Sequence, residues 1–219
     1  MRFSVIGLIF AFIFLSTYKP KISYFPYSKF KINEIIIQNN SIVSEAEIKN
    51  KLAFLYDSSL FFLEDKKISE ILINNSFIES FKIKKIYPNK IIISISEQKP
   101  IAVVTNKKEK FYITEKGKLI NFKKINVYDN LPEIIGNGEK FIYLYNDLKN
   151  LNFPISEIRS YLYFEGGRWD ILFIDGTTIK LPIKNFKTSL KKHMNLKKTN
   201  DFDKFKIFDY RIKNQLILN

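Results

Sequence analysis

The sequence predicts an α+β protein: an apolar N-terminal helix, then a small β-α-α-β-β module, then a strand-rich β module with flanking helices. Three observations carry that prediction. Phe3 to Tyr18 is an uncharged apolar run bounded by Arg2 and Lys19. KIIISISE, residues 90–97, alternates Ile91, Ile93 and Ile95 with Lys90, Ser94 and Ser96, the period of a sheet with one buried face. Beyond Lys99-Pro100, short β-branched and aromatic runs are punctuated by Gly117, Gly166-Gly167 and Asp175-Gly176, the rhythm of hairpins. A chain of 219 residues, 46% apolar, is long and hydrophobic enough to build two small cores and too hydrophobic to be disordered.

The apolar run FSVIGLIFAFIFLSTY is predicted to be a membrane anchor within residues 1–19. As a helix its 16 residues span about 24 Å, against a hydrocarbon core of ~30 Å, a shortfall that Arg2, Tyr18 and Lys19 can make up at the interfaces. A cleaved leader fits less well because LSTYKPK offers a poor small-x-small site, and a buried core helix would carry a polar stripe that is absent here. Basic residues stand on both sides of the run, so charge leaves the orientation open. Residues 20–28, rich in Pro and Tyr, form a connector.

Residues 29–98 make the first module. KFKINEIIIQ is a strand, ended by a turn at Asn39-Asn40. Ser44 and Glu47 have capping-box spacing at the start of a short helix. LEDKKISEILINN is a second helix, with Asp65 as N-cap, Ile68, Ile71 and Leu72 on one apolar face, and Asn74-Asn75 ending it in a left-handed conformation. FIESFKIKKI and KIIISISE are strands joined at Tyr87-Pro88-Asn89, and Glu97 to Pro100 marks the joint with the second module.

Residues 99–219 make that second module. IAVV is a strand, KFYITEKGKLI a hairpin turning at Glu115-Lys116-Gly117, and LPEIIG a short extended piece. Phe141, Leu144, Tyr145 and Leu148 have helical spacing. RSYLYFEGGRWDILFIDGTTIKLP reads as three strands. A basic amphipathic helix runs from Lys184 to Lys198, with Phe186, Leu190 and Met194 on one side, and two short strands around Lys213-Asn214 close the chain.

No catalytic constellation emerges. Phosphate loops, nucleophile elbows, zinc-protease motifs and calcium loops are all missing from the sequence, so no enzymatic activity, cofactor or metal is expected. Asp170 and Asp175, five residues apart, would point to opposite faces of a strand and cannot act as a carboxylate pair. The chain has no Cys, which excludes disulfides and thiolate chemistry. Its single His, His193, reads as an ordinary surface or half-buried residue. The net charge of +14 reflects 36 basic against 22 acidic residues; with Lys, Ile, Asn and Phe all abundant, it reads as a solvated surface, and no nucleic-acid partner is expected.

The first module's order and its QNNSIVSEAEI and NNSFIESFKIKKIYPNKIIISISEQKPIAVV segments resemble a polypeptide-transport-associated (POTRA) domain with the exit strand of the FtsQ/DivIB family of bacterial cell-division proteins. The second module is similar to that family's C-terminal β domain through Arg168-Trp169, Asp175-Gly176, Leu181-Pro182, the helix around Leu190, and Asp209-Tyr210-Arg211. The resemblance implies a single-pass inner-membrane protein of the division septum with a cytoplasmic N-terminus and a periplasmic bulk. It implies FtsB- and FtsL-like partners, with FtsK, FtsW and FtsI as further contacts, and strand addition at the last strand's edge. It carries Arg168, Arg211, Ile212, Asn214 and Leu216 over as partner-binding residues. The family often has an aromatic residue and a Gly where this chain has Ile212 and Gln215, and a Gly where it has Asn39. A POTRA-bearing translocation or outer-membrane assembly factor is the rival, but it would need a barrel that the remaining chain is too short to build.

Overall fold

The computed structural model describes residues 2–17, 27–106, 109–199 and 204–219. Helix α1 (Arg2–Thr17) takes up the apolar run, and its Phe10, Phe12 and Phe14 are exposed. Among the described residues no helix is long and apolar enough to cross a membrane. The connector at 20–28 lies outside the described residues except for its last two, which open a 3-10 turn at Tyr27–Phe30.

The first module consists of β1 (Glu34–Gln38), α2 (Glu45–Lys51), α3 (Asp65–Ile73), β2 (Ile78–Ile86) and β3 (Lys90–Glu97). β3 is central, parallel to β1 and antiparallel to β2. The alternation seen in the sequence decides which face is covered: Ile91, Ile93 and Ile95 are buried beneath Ile48, Leu52, Ile68 and Leu72. Asn39 does adopt a positive φ of 62°, which its short polar side chain tolerates.

Three end signals are corrected. Ser44 occupies the N-cap of α2, yet its side chain makes no capping bond, and α3 begins at Asp65 with Glu64 at the N-cap. Asn74 is right-handed (φ −67°) rather than left-handed. A distant acceptor instead fastens the loop ahead of α2. The Glu97 carboxylate takes the backbone N–H groups of Ser41, Ile42 and Val43, at 2.7–3.0 Å, and the Ser41 hydroxyl. Burial pushes the Glu97 carboxyl up, but those bonds outweigh it and hold it below the ordinary value. The end of β3 thereby pins the loop that leads into α2.

β4 (Pro100–Asn106) follows after only two residues and opens the second sheet. That sheet also contains β5 (Glu109–Thr114), β6 (Leu119–Asn121), β7 (Glu133–Ile135), β8 (Ile158–Phe164), β9 (Arg168–Phe173), β10 (Thr178–Lys180), β11 (Ile207–Asp209) and β12 (Ile217–Leu218). Its nine strands run β12-β11-β10-β9-β8-β7-β4-β5-β6. Parallel neighbours need a crossover. α4 (Phe141–Asn150) supplies it between β7 and β8, and α5 (Phe186–Leu196) between β10 and β11. The close approach of the β7 exit to β8 requires Gly136: at φ 105° a side chain there would meet the Tyr163 carbonyl oxygen at 2.6 Å.

The two helices cover an aromatic core. Phe141, Leu144, Tyr145 and Leu148 of α4 are all buried against Tyr161, Trp169 and Ile171. His193 corrects the sequence reading: it is only 2% exposed, sits 4.7 Å from the Phe208 ring centroid and lies 3.3 Å from the Tyr210 hydroxyl through Nδ1. Burial first, and the charge of Lys197 second, lower its pKa to about 4. Asp175 is also re-placed. β9 ends at Phe173, and Asp175 sits in the following turn, accepting from Thr177 N and Oγ1.

The modules meet through shared apolar surface. Val103, Tyr112 and Ile120 of the second sheet are buried in the first module's core. Tyr112 lies 6.1 Å from Phe77 between ring centroids, and its hydroxyl donates to the Lys123 carbonyl at 2.8 Å. Lys116 also forms an ion pair with Glu79 of β2.

Candidate partner-binding cleft

The strand order leaves β12 at one edge of the nine-stranded sheet, and the route to that edge forms a cleft. Leaving β10, the chain turns through Asn185 in a left-handed conformation (φ 60°) and enters α5, with Leu190 and His193 facing the core. The opposite side of α5, including Thr188, Lys192 and Asn195, faces the segment Tyr210–Leu216. That segment reverses at Asn214 (φ 62°), with Gln215 N donating to the Ile212 carbonyl at 3.1 Å. The resulting cleft has a volume of about 1160 Å³.

All five residues singled out from the sequence line this one cleft: Arg168, Arg211, Ile212, Asn214 and Leu216. Ile212 is 51% exposed, whereas Leu216 is half-buried against the aromatic core. Asn214 supplies the backbone reversal.

Both arginines are already engaged. Arg211 Nε donates to the two Asp209 oxygens at 2.8 and 2.9 Å, and Nη2 donates to Oδ2 at 2.5 Å. Arg168 Nε donates to Asp170 Oδ1 at 3.2 Å, and its guanidinium carbon stands 4.0 Å from the Phe164 ring centroid, a cation–π geometry. The two carboxylates respond oppositely. The Arg211 hydrogen bonds hold the Asp209 carboxyl below its ordinary value despite burial, whereas burial outweighs Arg168 and raises that of Asp170. Lys180 stands in register with Asp170 on one side and Asp209 on the other. Across the strands the charges therefore alternate from Arg168 through Asp170, Lys180 and Asp209 to Arg211. A strand's period of two puts Arg168 with Asp170, and Asp209 with Arg211, on one face, a signal present in the sequence that identified only the arginines as site residues.

The open edge has a defined polarity. Ile207 and Asn219 exchange both backbone hydrogen bonds, at 2.8 and 3.1 Å. In an antiparallel ladder the next residue then turns both its backbone groups outward, so the N–H and C=O of Leu218 point away from β11. Among the described residues no cluster of His, Cys, Asp and Glu could hold a metal ion. The arrangement offers outward main-chain hydrogen-bonding groups and an apolar rim of Ile183, Leu196, Ile212 and Leu216; the two arginines are paired, while Lys184, Lys192 and Lys213 leave the cleft basic.

Comparison with known proteins agrees with this architecture. Residues 30–98 match the model of the POTRA domain, FtsQ-type, and residues 102–211 match that of the cell division protein FtsQ/DivIB, C-terminal. The cell division protein FtsQ of Rickettsia bellii is 32% identical over 191 residues, covering 85% of this chain and 71% of the relative. FtsQ of Rickettsia prowazekii is 28% identical over 190 residues, with the same coverage. A solved extracytoplasmic domain of DivIB from Geobacillus stearothermophilus overlaps 49% of this chain, and 98% of its own, with a TM-score of 0.34 and 19% identity. By the two family-model matches and the Rickettsia bellii relative, the chain belongs to the FtsQ/DivIB family of bacterial cell-division proteins.

Proposed function

We propose that this protein is a non-enzymatic scaffold of the division machinery, and that its cleft and β12 edge receive an extended segment of an FtsB-like protein by strand addition, with an FtsL-like protein in the same assembly. The observation that carries this reading is the outward-facing backbone of Leu218 beside a cleft that gathers Arg168, Arg211, Ile212, Asn214 and Leu216. Main-chain bonds at such an edge supply affinity, and the pockets between Ile212, Leu216 and α5 supply side-chain selectivity. Arg168 and Arg211 hold their strands through Asp170 and Asp209, and they orient the cleft wall more than they offer free charge.

The same reading makes α1 a membrane tether, N-terminus cytoplasmic, with residues 29–98 and 99–219 as successive periplasmic modules at the septal inner membrane. FtsK, FtsW and FtsI are assigned to the membrane-proximal parts. The family match favours division over translocation or outer-membrane assembly.

The test is capture of the periplasmic segment of an FtsB-like protein by the full chain. Arg211→Glu places a carboxylate beside the buried Asp209 and can perturb folding, so Leu218→Pro is the cleaner variant: it removes an outward N–H without touching a bond to β11. Capture by wild type and loss in Leu218→Pro, with unchanged circular dichroism, is the expected result. Failure of the folded wild type to capture any division protein sinks the assignment.

A further inference from the structure

The first module carries an exposed aromatic face, at the end of the module nearest in sequence to α1, that the strand-addition site leaves unused. Four rings form one contiguous series: Tyr87 to Phe30 at 6.3 Å, Phe30 to Phe61 at 6.4 Å and Phe61 to Phe62 at 5.1 Å between centroids. Phe61 is 56% exposed, Phe62 63% and Tyr87 55%. Phe54, 38% exposed, extends the face across a hollow it shares with Phe62, Glu64 and Lys67. These rings come from three separate stretches of chain, so the fold assembles the face. Lys29 and Lys31 line the adjoining hollow. The acidic groups nearby are largely answered: Asp57 pairs with Lys31 at 3.3 Å and Asp65 with Lys85 at 3.2 Å.

We propose that this face lies on the surface of the bilayer that holds α1, with the rings at headgroup depth and Lys29 against lipid phosphates. The inference rests on the tethered reading of α1 given above. Three features select lipid as the occupant. Phe30 belongs to the turn that begins at Tyr27, ten residues after α1 ends at Thr17; at ~3.5 Å per residue the tether reaches at most about 35 Å. So short a link makes contact intramolecular, and weak insertion becomes sufficient. The exposed rings are aromatic in a module whose core is almost wholly Ile, Leu and Val, and aromatic side chains with basic neighbours suit the membrane–water interface.

The absence of Cys makes single nitroxide labels unambiguous. Three single-Cys chains, Phe10→Cys, Lys67→Cys and Lys213→Cys, are placed in nanodiscs of phosphatidylcholine and phosphatidylglycerol, and relaxation by oxygen and by a water-soluble nickel chelate is compared. The expected result is oxygen-dominated relaxation at 10, nickel relaxation at 67 several-fold below that at 213, and recovery of nickel relaxation at 67 when Phe61→Ser and Phe62→Ser are added. A lipid-buried label at 10 with 67 as water-accessible as 213 overturns the docking and leaves the tether intact. Water-accessible relaxation at 10 removes the tether, and the docking with it. Protection of 67 from both reagents identifies a protein cover and equally overturns the proposal.

Discussion

The two cores of this protein are built from different materials. In the first module the buried hydrophobic residues are Ile, Leu and Val with Phe77, Tyr112 enters from across the seam, and Gln98 is buried at the module's end. In the second they include Phe141, Tyr145, Phe153, Tyr161, Trp169, Phe173, Phe208 and Tyr210, with His193 among them. Aliphatic side chains fill space without importing polar atoms; Tyr, Trp and His bury more area but bring groups that need partners. Among the described residues the two buried side-chain atoms without a hydrogen-bond partner, Tyr161 OH and His193 Nε2, both lie in the second module. The first module keeps its polar fastening at the periphery, where Glu97 holds the loop at 41–43.

The sharpest way to break this contrast is to remove the ring at the centre of the aromatic core. Phe141 is fully buried, 4.9 Å from Tyr161 and 6.3 Å from Trp169 between centroids. Phe141→Ala is expected to cost about 3–5 kcal/mol in urea unfolding. A loss below about 1 kcal/mol means that the aromatic cluster repacks and does not organise the module.

Next in size is a pH effect confined to the second module. The folded pKa of His193, about 4, lies below its ordinary 6.5, so the unfolded chain binds the extra proton between those values. Stability is therefore full above pH 6.5 and declines as pH falls towards 4, by up to about 3 kcal/mol at ~1.4 kcal/mol per unit. Glu97 and Asp209 behave differently. Their folded pKa values are lowered, so their contribution is present above the ordinary carboxylate range and is lost only as pH falls through their folded values. Asp170, whose carboxyl burial raises, acts in the opposite sense, so the histidine is read from the difference between wild type and His193→Phe in thermal unfolding between pH 6.5 and 5, where the variant should lose the decline. An unchanged slope in that variant would assign the effect elsewhere.

Glu97→Ala probes the first module's fastening. It leaves three backbone N–H groups without their charged acceptor, and the expected loss is about 2 kcal/mol, moderated by partial access to water. Hydrogen exchange should quicken at residues 41–43 before it does in β3. The smallest effect is expected at Tyr161, whose hydroxyl is buried without a partner. Tyr161→Phe should shift stability by less than about 1 kcal/mol, in the stabilising direction. A clear destabilisation would reveal a hydrogen bond at that oxygen and erase the contrast between the cores.

Much of the fold was legible. Period-two alternation located β3 and its buried face, helical spacing named all four buried residues of α4, and Asp175-Gly176 marked the β9–β10 turn. The cap signals were less so. Ser44 and Glu47 have the right spacing, but the Ser44 side chain makes no capping bond and Glu47 pairs with Lys51; the loop just ahead of the helix is held by Glu97, 54 residues from Val43, a contact that no local spacing records. Lys99-Pro100 reads as a clean boundary because composition changes there, whereas Tyr112 and Ile120 cross it to complete the first core. The candidate site was named through family resemblance; the residues themselves showed the Asp-x-Arg spacing without showing that Arg168, 43 positions before Arg211 by their numbers, would line the same cleft.

The sequence by itself determined the elements, their order and their buried faces, because alternation and helical spacing record whether each position meets solvent. Only the tertiary structure decided which distant partners meet: Glu97 with the loop at 41–43, Tyr112 with Phe77, His193 with Phe208 and Tyr210, and Arg168 with Arg211 along one cleft. Those meetings depend on strand order and register, which arise from packing the whole sheet at once and leave no period in the local pattern.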